Sequence, residues 1–202
     1  MTSRVMLADD QALVRGALAA LLDLEPDLTV VAEVGRGDEV VPAARVHHPD
    51  VALLDVEMPG VDGITATTEL RQAIPQVKVL IVTTFGRPGY LRKALQAGAS
   101  GFVVKDTPAK QLADAVRRVF SGLRVVDPAL AADSLVTGES PLTTRESEVL
   151  RDARDGATAA VMAGRLYLSE GTVRNHLSSA IGKTGARTRA EAVRIAEDNG
   201  WL

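Results

Sequence analysis

The chain has 202 residues, 46% hydrophobic and 24% charged, as is usual for a globular protein of one or two domains. It has no cysteine, which excludes disulfides and thiolate metal sites, and its net charge of -3 argues against a generic nucleic-acid binder. The N-terminus lacks a signal-peptide pattern, and no apolar run approaches the roughly 20 residues that span a bilayer. We therefore expect a cytoplasmic protein with no membrane partner.

Strand and helix patterns alternate through residues 1–122. Five short apolar runs, each bounded by turn residues, are followed by segments with helical periodicity, and no hairpin signal separates them. This alternation predicts an α/β fold with a doubly wound, five-stranded parallel sheet. We expect Asp38 and Asp62 to cap the second and third helices.

Polar residues follow four of the predicted strands. The pair Asp9-Asp10 follows the first strand, Asp55 the third, Thr83 the fourth and Lys105 the fifth. Because the carboxyl ends of parallel strands line the ligand crevice, we expect three carboxylates, a hydroxyl and an ammonium to meet there. Clustered carboxylates repel each other unless a hard cation lies among them, and Mg²⁺ combines carboxylates with phosphate oxygens.

These residue types indicate phosphoryl chemistry. A carboxylate can act as a nucleophile that accepts a phosphoryl group. A lysine and a hydroxyl beside it can then neutralise and hydrogen-bond the phosphoryl oxygens. The sequence therefore predicts a phospho-accepting aspartate, Asp55, next to a Mg²⁺ site.

Residues 123–140 are predicted to be a linker. Asp127-Pro128 favours a short helix over Ala129–Val136, and the run from Thr137 to Pro141 ends it.

Residues 141–202 show helical periodicity only, which predicts an all-α domain. Thr143 and Glu146 have the spacing of a capping box. Four residues stand where helix N-caps are expected: Thr143, Thr158, Ser169 and Thr188. Two short helices joined by a tight turn around Tyr167 predict a helix-turn-helix.

Residues 1–122 resemble the receiver domain of two-component response regulators. The match is carried by Asp9-Asp10, the segment Leu-Leu-Asp-Val-Glu-Met-Pro-Gly-Val-Asp-Gly around Asp55, Thr83 and Lys105. The resemblance implies a flavodoxin-like strand order of 2-1-3-4-5 and phosphorylation of Asp55 by a sensor histidine kinase. It implies Mg²⁺ as cofactor, held by Asp9, Asp10, Asp55 and the backbone carbonyl of Glu57. It also implies switch and phosphoryl-binding roles for Thr83, Phe102 and Lys105.

Residues 141–202 resemble the LuxR-type DNA-binding domain of the NarL/FixJ response regulators. The likeness is carried by residues 142–146, 168–176 and 189–192. It implies a phosphorylated homodimer on an inverted repeat of double-stranded DNA, with the last helix, around Ala192, Val193 and Ile195, as a dimer surface. The residues expected to contact DNA are Ser169, Thr172, Arg174, Asn175, His176, Ser178, Lys183, Arg187 and Arg189.

Two of these residues are suited to reading bases. Arginine can pair with guanine and asparagine with adenine in the major groove, which makes Arg174 and Asn175 the expected base contacts. Ser169, Thr172, His176, Lys183, Arg187 and Arg189 are better candidates for phosphate contacts. A further likeness, in residues 83–90 and Gly200-Trp201, is to the DesR-like members of the family.

The combined interpretation is a DNA-binding response regulator, with no catalytic residues, in which phosphorylation of Asp55 drives dimerisation or domain release. One alternative is a phosphorylation-independent regulator with the same fold. Another is an aspartyl phosphatase of the haloacid dehalogenase type. That class expects an aspartate where Glu57 stands, and it leaves Asp9-Asp10 unexplained.

Overall fold

A computed structural model describes residues 2–84, 88–128, 130–132 and 140–202. The chain forms two compact units, of which the first contains residues 1–86 and 90–132 and the second residues 87–89 and 133–202. Within the described residues, no helix is both long and apolar enough to cross a membrane.

The first unit alternates strands and helices. The strands are β1 (Ser3–Ala8), β2 (Leu28–Val34), β3 (Val51–Leu54), β4 (Lys78–Thr83), β5 (Gly101–Val104) and β6 (Val125–Val126). The helices are α1 (Ala12–Asp23), α2 (Val40–His47), α3 (Gly63–Ala73), α4 (Pro88–Gln96) and α5 (Ala109–Phe120), with one 3-10 turn at Gly37–Glu39 before α2.

The strands form one parallel sheet in the order β2-β1-β3-β4-β5-β6. The predicted parallel sheet and its order 2-1-3-4-5 are confirmed, but the count of five strands is one too few. In the sixth strand Val125 pairs with Gly101 and Val126 with Phe102. Two residues are too few to show a strand period, which is why the sequence did not reveal it.

The sixth strand lies in the stretch that the sequence assigned to the linker. Of the short helix predicted over Ala129–Val136, residues 130–132 are helical. The rest of that helix, residue 129 and residues 133–136, lies outside the described residues.

Alternate residues of each strand pack on opposite faces of the sheet. On β1, Val5 and Leu7 belong to a cluster with the buried sides of α1 and α5. Met6 and Ala8 belong to a second cluster with the buried residues of α2, α3 and α4. Because helices cover both faces, the strands read as continuous apolar runs, and their polar residues remain at the strand ends.

Of the two caps predicted in this unit, one forms. The Asp62 side chain accepts hydrogen bonds from the backbone N–H groups of Ile64 and Thr65 at the start of α3. Asp38 makes no cap, because its carboxylate accepts hydrogen bonds from the guanidinium of Arg36 instead.

The second unit is helical, with α6 (Thr144–Asp152), α7 (Ala159–Leu166), α8 (Glu170–Thr184) and α9 (Arg189–Asp198). All four predicted N-caps form, and Thr143 and Glu146 make the predicted capping box. Tyr167 turns the chain between α7 and α8 with a left-handed φ of 54°. These two helices are the predicted helix-turn-helix.

Two of the three residues predicted to form a dimer surface on the last helix are not available for it. Ala192 and Val193 were predicted to lie on a dimer surface, but they are buried in the core of their own unit with Val149, Leu150 and Met162. They therefore offer little surface to a second chain, whereas Ile195 is half-buried, so a dimer surface on this helix stays a prediction.

Candidate functional sites

Three strand ends bring the predicted receiver residues together. Asp9 follows β1, Asp55 follows β3 and Lys105 follows β5. The Nζ atom of Lys105 lies 2.7 Å from Oδ2 of Asp9 and 2.9 Å from Oδ2 of Asp55. Asp9 and Asp55 are 3% and 4% exposed, so this ammonium neutralises two nearly buried carboxylates.

Backbone N–H groups hold the other oxygens of these carboxylates. Gln11 N donates to Oδ1 of Asp9 over 2.9 Å, and Val56 N donates to Oδ1 of Asp55 over 2.7 Å. Both carboxylates are therefore fixed in orientation, each between a backbone donor and Lys105.

The acidic cluster has the donor set of a hard-cation site. One carboxylate oxygen each from Asp9, Asp10 and Asp55 lies within 4.8 Å of the others, and Asp10 is exposed to solvent. Glu57 follows on the same loop as Asp55 with an exposed side chain. Carboxylate oxygens with open access to water suit Mg²⁺.

Burial and charge act in opposite directions on the pKa values of the site. Burial raises the pKa of the Asp55 carboxyl, and the hydrogen bond from Lys105 reduces that rise. Burial by itself would lower the pKa of Lys105, but its bonds to Asp9 and Asp55 outweigh burial and raise it. The ammonium of Lys105 therefore stays charged. A group that is to pair with additional negative charge at this site must carry a positive charge.

The two predicted switch residues lie on adjacent strands. Thr83 ends β4 and is 2% exposed, whereas Phe102 is fully buried in β5. Phe102 packs in the sheet-face cluster that includes Leu54 and Ile81. The structure thus places Thr83 at the same sheet edge as Asp55 and Phe102 in the core beneath it.

Two contacts that support this site were not predicted from the sequence. A guanidinium nitrogen of Arg15 donates to the backbone carbonyl of Asp9 over 2.5 Å, which ties α1 to the end of β1. Gly63 packs so tightly that an added Cβ would lie 1.8 Å from the carbonyl oxygen of Asp55. A small residue at a helix start is too common a pattern to have indicated that contact.

The N-terminal half of α8 presents most of the predicted DNA contacts. The Ser169 side chain accepts a hydrogen bond from Thr172 N over 3.1 Å. Arg174 is 69% exposed and pairs with Glu170 at 2.8 Å. The remaining predicted contacts of this helix differ in burial, with Asn175 and Ser178 exposed and His176 half-buried.

The basic residues that follow the N-terminal half of α8 have different binding partners. Lys183 pairs with the buried Glu146 at 2.8 Å. Arg189 donates to the carbonyl oxygens of Ala157 and Gly156 over 2.5 Å and 3.2 Å. Both cations are engaged within the unit, although the Lys183 side chain is 36% exposed, and Arg187 is exposed as well.

The two units match two known families. Residues 5–117 match the response regulator receiver domain, and residues 140–196 match the bacterial regulatory proteins of the luxR family. A receiver sheet with its acidic cluster and a LuxR-type helix-turn-helix together define a DNA-binding response regulator of a two-component system.

Relatives along the whole chain agree with that class. The transcriptional regulatory protein YvfU of Bacillus subtilis is 44% identical over 98% of this chain and 99% of its own. DesR of the same organism is 40% identical over 98% of both chains, so the likeness to DesR is confirmed. The response regulator ChrA of a heme-sensing two-component system has 36% identity and a TM-score of 0.60 over 100% of this chain and 99% of its own. The chain belongs to the NarL/FixJ (LuxR-type) family of response regulators.

Proposed function

We propose that Asp55 accepts a phosphoryl group from a sensor histidine kinase and thereby controls DNA binding. The observation that carries the proposal is the position of Lys105, whose ammonium contacts the carboxylates of both Asp9 and Asp55. Asp55 is the carboxylate of that pair that follows the central strand β3.

The donor set fits Mg²⁺, which would be held by the carboxylates of Asp9, Asp10 and Asp55 and by the backbone carbonyl of Glu57. When bound, Mg²⁺ supplies positive charge beside the phosphoryl oxygens. Lys105 supplies a second positive charge, and its contact with Asp55 is replaced by a contact with the phosphoryl group.

Phosphorylation changes the charge at the strand ends. The phosphoryl group adds about 1.5 to 2 negative charges and three acceptor oxygens. Thr83 donates its hydroxyl hydrogen to one of these oxygens, and Phe102, which is already fully buried, keeps the inward position that the switch requires. The state with Thr83 and Phe102 drawn in is stabilised, which favours dimerisation or release of the DNA-binding domain.

The second unit then binds DNA through α8. Arg174 and Asn175 read base edges, and Ser169, Thr172 and Arg187 contact phosphates. A dimer places two copies of α8 about 34 Å apart on an inverted repeat. The proposed domains are a receiver over residues 1–122 together with the strand β6, a linker over the rest of 123–140 and a DNA-binding domain over 141–202.

The experiment that tests this function measures oligomeric state with and without Mg²⁺ and beryllofluoride. We expect the wild type to dimerise with both present and Asp55→Asn to stay unchanged. Glu69→Gln is the charge-matched control, because Glu69 is exposed on α3, and it should behave like the wild type. If neither the wild type nor the control responds, while both bind a selected DNA site, the protein is a phosphorylation-independent regulator.

A further inference from the structure

We propose that Glu146 is a positioning residue for DNA recognition, which fixes α8 through Ser179 and Lys183. The inference rests on the proposed use of α8 as the helix that reads DNA. The contacts of Glu146 with Ser179 and Lys183 are called the clamp. The proposal assigns Lys183 to the clamp and removes it from the set of phosphate contacts.

The geometry that carries the proposal is a single carboxylate held from two helices. Glu146 is 4% exposed. Its Oε1 atom accepts from the Ser179 hydroxyl over 2.6 Å. Its Oε2 atom accepts from Lys183 Nζ over 2.8 Å and from Thr143 N over 2.6 Å. Ser179 and Lys183 are one turn apart on α8, so Glu146 fixes two successive turns of that helix to the start of α6.

The negative charge of Glu146 stabilises its contacts with Ser179 and Lys183. Burial opposes ionisation, but the hydrogen bonds from Lys183, Ser179 and Thr143 outweigh it and lower the pKa of Glu146 to about 2. A buried carboxylate that loses its partners is left uncompensated, which is costly. Lys183 therefore stays with Glu146 when a DNA phosphate competes for its ammonium.

The clamp acts on the reading residues through the rigidity of the helix. Arg174 and Asn175 lie between one and three turns before Ser179 and Lys183 on the same 15-residue helix. A helix of this length extends about 22 Å. A tilt of its C-terminal half, which the clamp holds, therefore displaces the side-chain tips of the base-contacting residues in its N-terminal half. Bidentate base contacts depend on that placement, whereas phosphate contacts tolerate more.

The experiment measures the DNA affinity of the full chain over a series of salt concentrations. The probe is a fluorescent duplex selected from a random-sequence library by the wild-type chain, with Mg²⁺ and beryllofluoride present throughout. The variants are Glu146→Gln, Ser179→Ala and Lys183→Met. Glu148→Gln is the matched control, because it removes the same charge from the same helix at an exposed pair with Arg145.

We expect Glu146→Gln and Lys183→Met to weaken binding to the selected duplex about tenfold. The salt dependence should stay that of the wild type, because neither variant loses a phosphate contact. Binding to a scrambled duplex should change less, so the discrimination ratio should fall. Ser179→Ala should show a smaller loss of the same kind, and Glu148→Gln should bind like the wild type.

Two results overturn the proposal. Lys183 is a phosphate contact if Lys183→Met reduces the salt slope by about 0.9, or if Glu146→Gln releases Lys183 and tightens binding. Glu146 is only structural if its folded variants keep the wild-type discrimination ratio, with folding followed by the fluorescence of Trp201, the single tryptophan. Failure of the wild type to select any duplex would instead contradict the proposed function.

Discussion

The ammonium of Lys105 lies 2.9 Å from the carboxylate of Asp55, at the edge of the sheet where the two strands end. The same ammonium neutralises Asp9. A single cation, whose side chain is 10% exposed, is shared by two buried carboxylates, so the charge balance of the site depends on one side chain.

Removal of that cation should make the first unit depend on a divalent metal. We expect Lys105→Met to lower the free energy of unfolding by about 3 kcal/mol in the absence of Mg²⁺, because two buried carboxylates lose their partner. Mg²⁺ should then raise the melting temperature of the variant more than that of the wild type. Lys110→Met, at an exposed position of α5, is the control. Equal Mg²⁺ shifts in all three proteins would contradict a metal site at these carboxylates.

Two helical glycines should respond in opposite directions to alanine. Gly63→Ala places a Cβ 1.8 Å from the Asp55 carbonyl oxygen, so the backbone must shift and the first unit should lose stability. Gly16→Ala on α1 meets nothing within 4 Å and should gain about 0.5–1 kcal/mol. Urea denaturation measures both changes. The beryllofluoride response should be weakened in Gly63→Ala alone, and a normal response there would separate the Gly63 contact from phosphorylation.

The second unit should lose stability in acid through Glu146. Its pKa falls from 4.5 in the unfolded chain to about 2 in the folded one. The folded state therefore binds fewer protons, and the stability that Glu146 contributes is present above pH 4.5 and is lost as the pH falls toward about 2. Urea denaturation followed by Trp201 fluorescence should show a steeper loss across this window for the wild type than for Glu146→Gln. Parallel curves would mean that Glu146 is not ionised in the clamp.

Arg174 should contribute to sequence preference as well as to affinity. We expect Arg174→Ala to cost about 1–3 kcal/mol on the selected duplex and to relax the preference at one base position. Arg194→Ala is the matched control, because Arg194 is also an exposed arginine, 68% exposed, in an i,i+4 pair on a helix of the same unit. Competition with single-base variants of the duplex measures both. The same preference in Arg174→Ala and the wild type would assign Arg174 to phosphate instead.

The features that the sequence predicted well are those with local causes. Apolar runs predicted the central strands because strands covered on both faces need apolar residues throughout. Asp62, Thr143 and Ser169 were predictable caps, since a cap and the N–H groups it accepts from are within three residues of each other. The carboxylate cluster followed from the same logic, because parallel strands end at one edge.

The features that the sequence did not predict depend on distant partners. Asp38 has the residue type of a cap, but the competing guanidinium of Arg36 binds its carboxylate. Lys183 has the charge of a phosphate contact, but its partner Glu146 is 37 residues away. Val193 fits an exposed interface as well as a core by composition, and only packing against the other helices decides between them.

The short strand β6 also bears on how the receiver can be isolated. Val125 and Val126 pair with Gly101 and Phe102 on one edge of β5, so a fragment that ends at residue 122 would leave these two residues unpaired on that side. An uncovered apolar strand recruits strands from other molecules and leads to aggregation. A stable receiver fragment of this protein therefore extends through Val126, past the boundary that its sequence suggests and past residue 117, where the family match ends.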